Sequence, residues 1–139
     1  MTLQVGVKAL LKNPEGKLLL LKRSAEKYGK TNGSWDIVGG RIDPGSALVE
    51  NLAREIREET GLPLLGEPRL VAAQDILAPE RHVVRLTYVA RTEGEPVLDT
   101  SENSAYRWLT FAELAAEPDL DVFVKTLIES GSLTAESWD

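Results

Sequence analysis

The chain has no cysteine, a single histidine (His82) and few aromatic residues, 6% of its 139. The lack of cysteine excludes disulfides and every thiolate metal site. One histidine excludes sites that need two imidazoles, as the usual zinc hydrolases do. Carboxylates are then the only metal ligands present in quantity. An excess of positive charge is also missing, since 16 Lys and Arg face 22 Asp and Glu, a net charge of −6. That balance argues against a nucleic acid polymer as partner, because such binding draws on clustered Lys and Arg. It leaves room for a small phosphorylated substrate, provided divalent cations bridge carboxylate and phosphate. No apolar run approaches the roughly 20 residues of a membrane span. Residues 1–6 lack the charged head and apolar run of a signal peptide. The expectation is a cytoplasmic protein with no membrane partner.

What is present is ordinary for a globular chain: 42% hydrophobic and 27% charged residues. The length suits a single domain over residues 1–139, long enough to bury a core without staples. Apolar runs at 3–11 and 18–21 flank Asn13-Pro14-Glu15-Gly16, which predicts a β-hairpin. Residues 22–34 read as a polar loop. Trp35-Asp36-Ile37-Val38 reads as one short strand entering Gly39-Gly40, and Asp43-Pro44-Gly45-Ser46 breaks the chain again.

A helix is predicted from about 47 to 60. Leu48, Leu52 and Ile56 recur at four-residue spacing, with Val49 and Ala53 beside them. Ser46 is placed to cap it, Gly61 to stop it, and Pro63 lies just beyond. Strands follow at about 69–77, 82–91 and 105–109, with a turn-rich acidic loop over 92–103. Short helices are expected near 111–115 and 119–130. Strands around one long helix, with helices at the end, imply a mixed sheet covered on both faces.

Glu55, Glu58 and Glu59 fall in one sector of the predicted helix, at the edge of its buried stripe. Carboxylates at that spacing repel by a few tenths of a kcal/mol, roughly. A hard divalent cation would offset the repulsion. The plainer reading is a solvated face shared with Arg54, Arg57 and Glu50. Gly39-Gly40, leading toward this helix, offers backbone that can lie against phosphate oxygens, although such a pair is more often a simple turn.

Residues 40–62 resemble the Nudix box, G-x5-E-x7-R-E-U-x-E-E-x-G-U, with U bulky and aliphatic. Gly40 opens it, and Arg54-Glu55-Ile56-Arg57-Glu58-Glu59-Thr60-Gly61-Leu62 closes it. Eight of the nine specified positions match; the exception is Ser46, where the family has its first glutamate. In the family that glutamate supports the arginine that is Arg54 here, and Asp43 or Glu50 could take over its role. Val38 departs more mildly, standing where many relatives have proline.

The resemblance implies a Nudix-like α/β/α sandwich with a mixed β-sheet. It implies hydrolysis of a nucleoside diphosphate linked to another group, with Mg2+ as cofactor and Mn2+ able to substitute. Glu55, Glu58 and Glu59 would be metal ligands, joined by the Gly40 carbonyl. Glu58 or Glu59 would also accept the proton of the attacking water, and Arg54 would orient Glu55. Relatives recruit one more carboxylate from a later loop, for which Glu102 is the candidate. Gly39, Gly40, Arg23 and Lys22 could face the phosphates. Trp35 and Tyr28 could stack on a base, although a tryptophan in a strand is more often core. Asp119 and Asp121 lie where some relatives read a purine edge, and a helix start explains them equally well.

A nucleoside triphosphate is the expected substrate, in a protein acting as monomer or homodimer. An ADP-sugar pyrophosphatase is the alternative within the enzyme class. A catalytically weak nucleotide sensor is the alternative outside it, and Ser46 is the feature that favours it.

Overall fold

The computed structural model describes residues 1–25 and 33–139. Tyr28 lies outside them. The strands are β1 (Thr2–Lys12), β2 (Leu18–Arg23), β3 (Trp35–Asp36), β4 (Val38–Arg41), β5 (Leu65–Ala78), β6 (Arg81–Arg91) and β7 (Asn103–Leu109). The helices lying wholly among the described residues are α1 (Leu48–Thr60), α2 (Phe111–Ala115) and α3 (Val122–Glu129). All the strands join one mixed sheet. No described helix is long and apolar enough to cross a membrane.

The predicted hairpin forms, and its turn is held by the Asn13 side chain accepting from the Lys17 N–H at 2.8 Å. It then splays, with β1 and β2 in register only at Lys12 and Leu18. Beyond that point β1 pairs antiparallel with β4 and runs parallel to β6 along its whole length. β2 pairs instead with β3 and β7. The splay opens a gap between two groups of strands, and the site forms there.

Alternation along β2 explains the layers. Leu18 and Leu20 point into one apolar cluster with Val124 and Leu127 of α3. Leu19 and Leu21 point into a second with Leu52 and Ile56 of α1. Successive side chains of a strand face opposite sides, so four buried leucines in a row need cover on both faces. The sheet is therefore sandwiched between α1 and the C-terminal helices, as the sequence implied. Truncating any of these leucines to alanine is expected to cost about 2–5 kcal/mol.

The predicted strand over Trp35–Val38 is two strands. At Ile37 the chain leaves β2 for β1, and Ile37 and Val38 enter opposite cores. The Asp36 carboxylate accepts the Ile37 N–H at 2.8 Å, so the break leaves that donor satisfied.

α1 ends as predicted, with Gly61 left-handed (φ 69) and its N–H bonded to the Arg57 carbonyl. Its beginning differs. Ala47 holds the N-cap position without a side-chain cap, and Leu48 and Val49 are exposed. Asn51 fastens the chain at the helix start in a different way, through the carbonyls before the helix. It is 1% exposed and donates from Nδ2 to the carbonyls of Ser46 (3.1 Å) and Ala47 (2.9 Å). The buried stripe is therefore Asn51, Leu52, Ile56 and Thr60, one turn later than the apolar spacing suggested.

Candidate active site

β4 and α1 bring the box residues together, and each glycine there has its own reason. Gly39 has φ 144, a backbone that side chains rarely adopt, and a Cβ on it would collide with the Val7 carbonyl. Gly40 is dictated by its neighbour: a Cβ would stand 2.6 Å from Glu55 Oε2. The pair thus lets the Glu55 carboxylate lie against bare backbone. Glu59 makes a direct bond to the same strand, its Oε2 accepting the Gly39 N–H at 2.8 Å. Its Oε1 accepts from Asn103 Nδ2 at 3.3 Å. Asn103 carries the 99–103 loop to the site, and Asp99 and Glu102 line the same cleft of about 790 Å3.

The three glutamates are not equivalent. Glu58 is open to water, whereas Glu55 and Glu59 are partly buried. Burial pushes the Glu55 carboxyl above its ordinary value against the opposing pull of Arg54. Burial pushes Glu59 further, to about 7, with Lys8 and the Gly39 N–H only partly opposing it.

Arg54 stands between the carboxylates. Its Nη1 reaches Glu55 Oε1 at 3.0 Å and Glu58 Oε2 at 3.4 Å. Its Nη2 reaches Asn51 Oδ1 at 2.9 Å and Asp43 Oδ2 at 3.4 Å. Asn51 Oδ1 also accepts the Asp43 N–H at 2.8 Å, so this buried amide ties the loop, the helix start and Arg54 together. Asp43 and Asn51 hold the arginine in the absence of a glutamate at position 46, while Glu50 is exposed.

The donor set suits a hard divalent cation. It is all oxygen, two of its carboxylates are raised by burial, and a guanidinium nitrogen sits between Glu55 and Glu58. Among the described residues no three carboxylates already form a cage. Magnesium needs none, since it usually keeps several waters and takes one or two carboxylates plus substrate oxygens.

A second cluster adjoins the first. Asp36 Oδ2 meets Lys8 Nζ at 2.9 Å and Arg23 Nη2 at 2.5 Å, and its Oδ1 meets Arg85 Nη2 at 3.3 Å. Asp121 meets Arg23 at 2.6 Å and Arg85 at 3.1 Å. It also caps α3, accepting from the N–H groups of Phe123 and Val124. Burial alone would raise Asp36, but Lys8, Arg85 and Arg23 overrule it and hold its carboxyl far below the usual range.

The remaining residues singled out from sequence are placed as follows. Arg23 lines the cleft with its guanidinium committed to Asp36, Asp121 and the Gly33 carbonyl. Asp119 is exposed outside the cleft wall, and Asp121, two residues on, lies in it. Trp35 packs on the α3-side core with the Arg107 guanidinium 5.3 Å over its ring. Lys8, Arg85 and Asn51 were missed. The available signal for Lys8 and Arg85 was a lone cation inside an otherwise apolar strand.

The NUDIX domain family model matches residues 2–129. A Bacillus subtilis protein named "Putative 8-oxo-dGTP diphosphatase" is 30% identical over 106 residues, 76% of this chain and 65% of that one. The chain thus spans just under two thirds of that relative. Nucleoside triphosphatase NudI of Salmonella paratyphi B is 30% identical over 125 residues, covering 82% of this chain and 88% of that one. Among solved structures, the MutT protein of Methanosarcina mazei superposes with a TM-score of 0.78 at 27% identity, over 92% of this chain and 91% of that one.

Proposed function

The chain belongs to the Nudix family, and on that footing we propose that residues 1–139 act as one domain hydrolysing nucleoside triphosphates to monophosphate and pyrophosphate. The observation that carries the reading is the edge of α1, where Glu55 and Glu59 are held against Gly39 and Gly40 at the mouth of the cleft. The relatives named for 8-oxo-dGTP and for nucleoside triphosphates support a triphosphate as substrate.

Nudix hydrolases use divalent metal, and Mg2+ is our choice, with Glu55, Glu58, Glu59 and the Gly40 carbonyl to hold it. When bound, such an ion neutralises the diphosphate and lowers the pKa of a coordinated water. Water attacks phosphorus, the bridging P–O bond breaks, and the pyrophosphate departs on its oxygen. Glu58 or Glu59 takes the proton that the water gives up. Arg54 is a positioning residue that orients Glu55. Glu102 brings a further carboxylate to the cleft from the loop before β7. Positioning and electrostatics do most of the work in such chemistry.

The test is release of phosphate and pyrophosphate from a panel of canonical and oxidised triphosphates, ADP-ribose and dinucleoside polyphosphates, with and without Mg2+. Turnover is expected to need the metal. Glu58→Gln is expected to lower kcat by about 10²–10⁴-fold with little change in thermal stability, because Glu58 is exposed. Metal-independent turnover, or a fully active Glu58→Gln, overturns the proposal.

A further inference from the structure

The cleft continues past the glutamates onto bare sheet. Gly6 of β1 stands there, in register with Arg41 of β4 on one side and Arg85 of β6 on the other. A Cβ on Gly6 would make only ordinary contacts, 3.7 Å to the Gly40 carbonyl oxygen, 3.9 Å to Val83 Cγ1 and 4.0 Å to Arg41 Cδ. The fold therefore does not demand glycine at this position. A glycine inside a strand leaves the backbone open to close approach by another group. Here it leaves an open floor between the carboxylates and two arginines.

Those arginines are Arg41 and Arg81, both exposed and both lining the cleft. The other cleft arginines are paired: Arg23 with Asp36 and Asp121, Arg85 with the same two, and Arg54 with Asp43, Glu55 and Glu58. Among the described residues Arg41 and Arg81 make no ion pair within 4.0 Å. Both stand over β1, Arg41 in register with Gly6 and Arg81 with Thr2, and both enter the same cleft. Two guanidiniums that line one cleft without ion-pair partners leave their donors available to a multivalent anion. Planar five-donor forks suit phosphate oxygens in particular.

We propose that Arg41 and Arg81 form the receptor for the terminal phosphate of the substrate, so that the enzyme selects nucleoside triphosphates over diphosphates. The phosphate chain would start at the glutamates, cross the open floor at Gly6 and end between the two guanidiniums. The inference rests on the nucleotide hydrolysis proposed above, and it assigns a specificity role to two residues outside the glutamate centre.

The experiment compares steady-state kinetics on GTP and GDP, with Mg2+ at about 0.1 M salt, where exposed charges are already partly screened. The variants are Arg41→Ala, Arg81→Ala, the double alanine and the double lysine. Calorimetric binding of inorganic tripolyphosphate is measured alongside and needs no turnover. A charge-assisted contact is worth roughly tenfold or more, so the double alanine should raise KM for GTP by about a hundredfold. Its kcat for GTP should stay within about twofold, and KM for GDP should not move. The double lysine should recover part of the loss, and tripolyphosphate affinity should fall in parallel. Equal losses on GTP and GDP, or no loss on either, overturn the proposal. Turnover that ignores the arginines sinks the receptor alone. Absence of any nucleotide turnover, with tripolyphosphate binding still dependent on them, sinks the hydrolysis and leaves the receptor standing.

Discussion

Two groups of carboxylates share one cleft and have opposite fates. Asp36 and Asp121 are buried among Lys8, Arg23 and Arg85, and Asp36 is driven strongly toward its charged form. Glu55 and Glu58 share one guanidinium, that of Arg54, with Asp43, and Glu59 has Lys8 as the only charge to oppose its burial. Glu55 and Glu59 are driven toward their neutral forms. Burial opposes ionisation at both places, so the contrast comes from the cations supplied. The aspartates are satisfied by the chain itself and fasten β1, β2, β3, β6 and α3 together. The glutamates are left short of positive charge, which is what a site for an added cation requires. Acidity alone does not separate structural from functional carboxylates; the state of their pairing does.

Cutting the satisfied cluster should have the larger effect on stability. Asp36→Ala strands Lys8, Arg23 and Arg85 around one remaining aspartate, and unfolding in urea should show a loss of about 3–5 kcal/mol. A loss below about 1 kcal/mol would erase the distinction between the clusters.

The pH dependence should have opposite signs at the two places. Asp36 lies below its ordinary value of 3.8, so its contribution is present above that pH and fades as pH falls further. Glu59 is raised from 4.5 to about 7, so the folded state binds the extra proton across that interval. Without divalent metal, stability should therefore decline as pH rises from about 4.5 to about 7, by at most about 3 kcal/mol. Glu59→Gln should flatten the decline and leave the acid limb unchanged. Chemical denaturation at several pH values, with a chelator present, reads both limbs at once.

The smallest expected effect concerns Arg54. Ser46→Glu should give it a closer partner than the 3.4 Å contact with exposed Asp43. Activity should rise by a few-fold, about the worth of one exposed ion pair. An unchanged kcat/KM would mean that Asn51 and Asp43 already fill the role.

Much of this was legible from local pattern. Gly61 marked the end of α1, the order of strands and helices marked a sheet covered on both faces, and helix periodicity placed Glu55, Glu58 and Glu59 on one helix edge. What escaped depends on partners distant in sequence. Nothing near Ile37 announces that the strand will change neighbours there, because the reason lies in the splay of β1 from β2. Lys8 and Arg85 meet Asp36 only once β1, β3 and β6 are assembled. Asn51 occupies a position where helix periodicity favours an apolar residue, and its value comes from the loop folded over it. Asp119 and Asp121 could not be told apart from sequence, because two acids beside a helix start look alike until one of them caps it.

The parallel pairing of β1 with β6 also governs when the enzyme comes into being. Partners along that ladder are 79 residues apart, as with Thr2 and Arg81 (81 − 2). Such distant closure is slow compared with making a helix or a hairpin. On a chain growing from its N-terminus, α1 can form while β1 still waits for β6 to emerge. The glutamates would then exist before the floor and its arginines. Hydrolytic competence should accordingly appear late and abruptly in refolding, after helical signal has already been recovered.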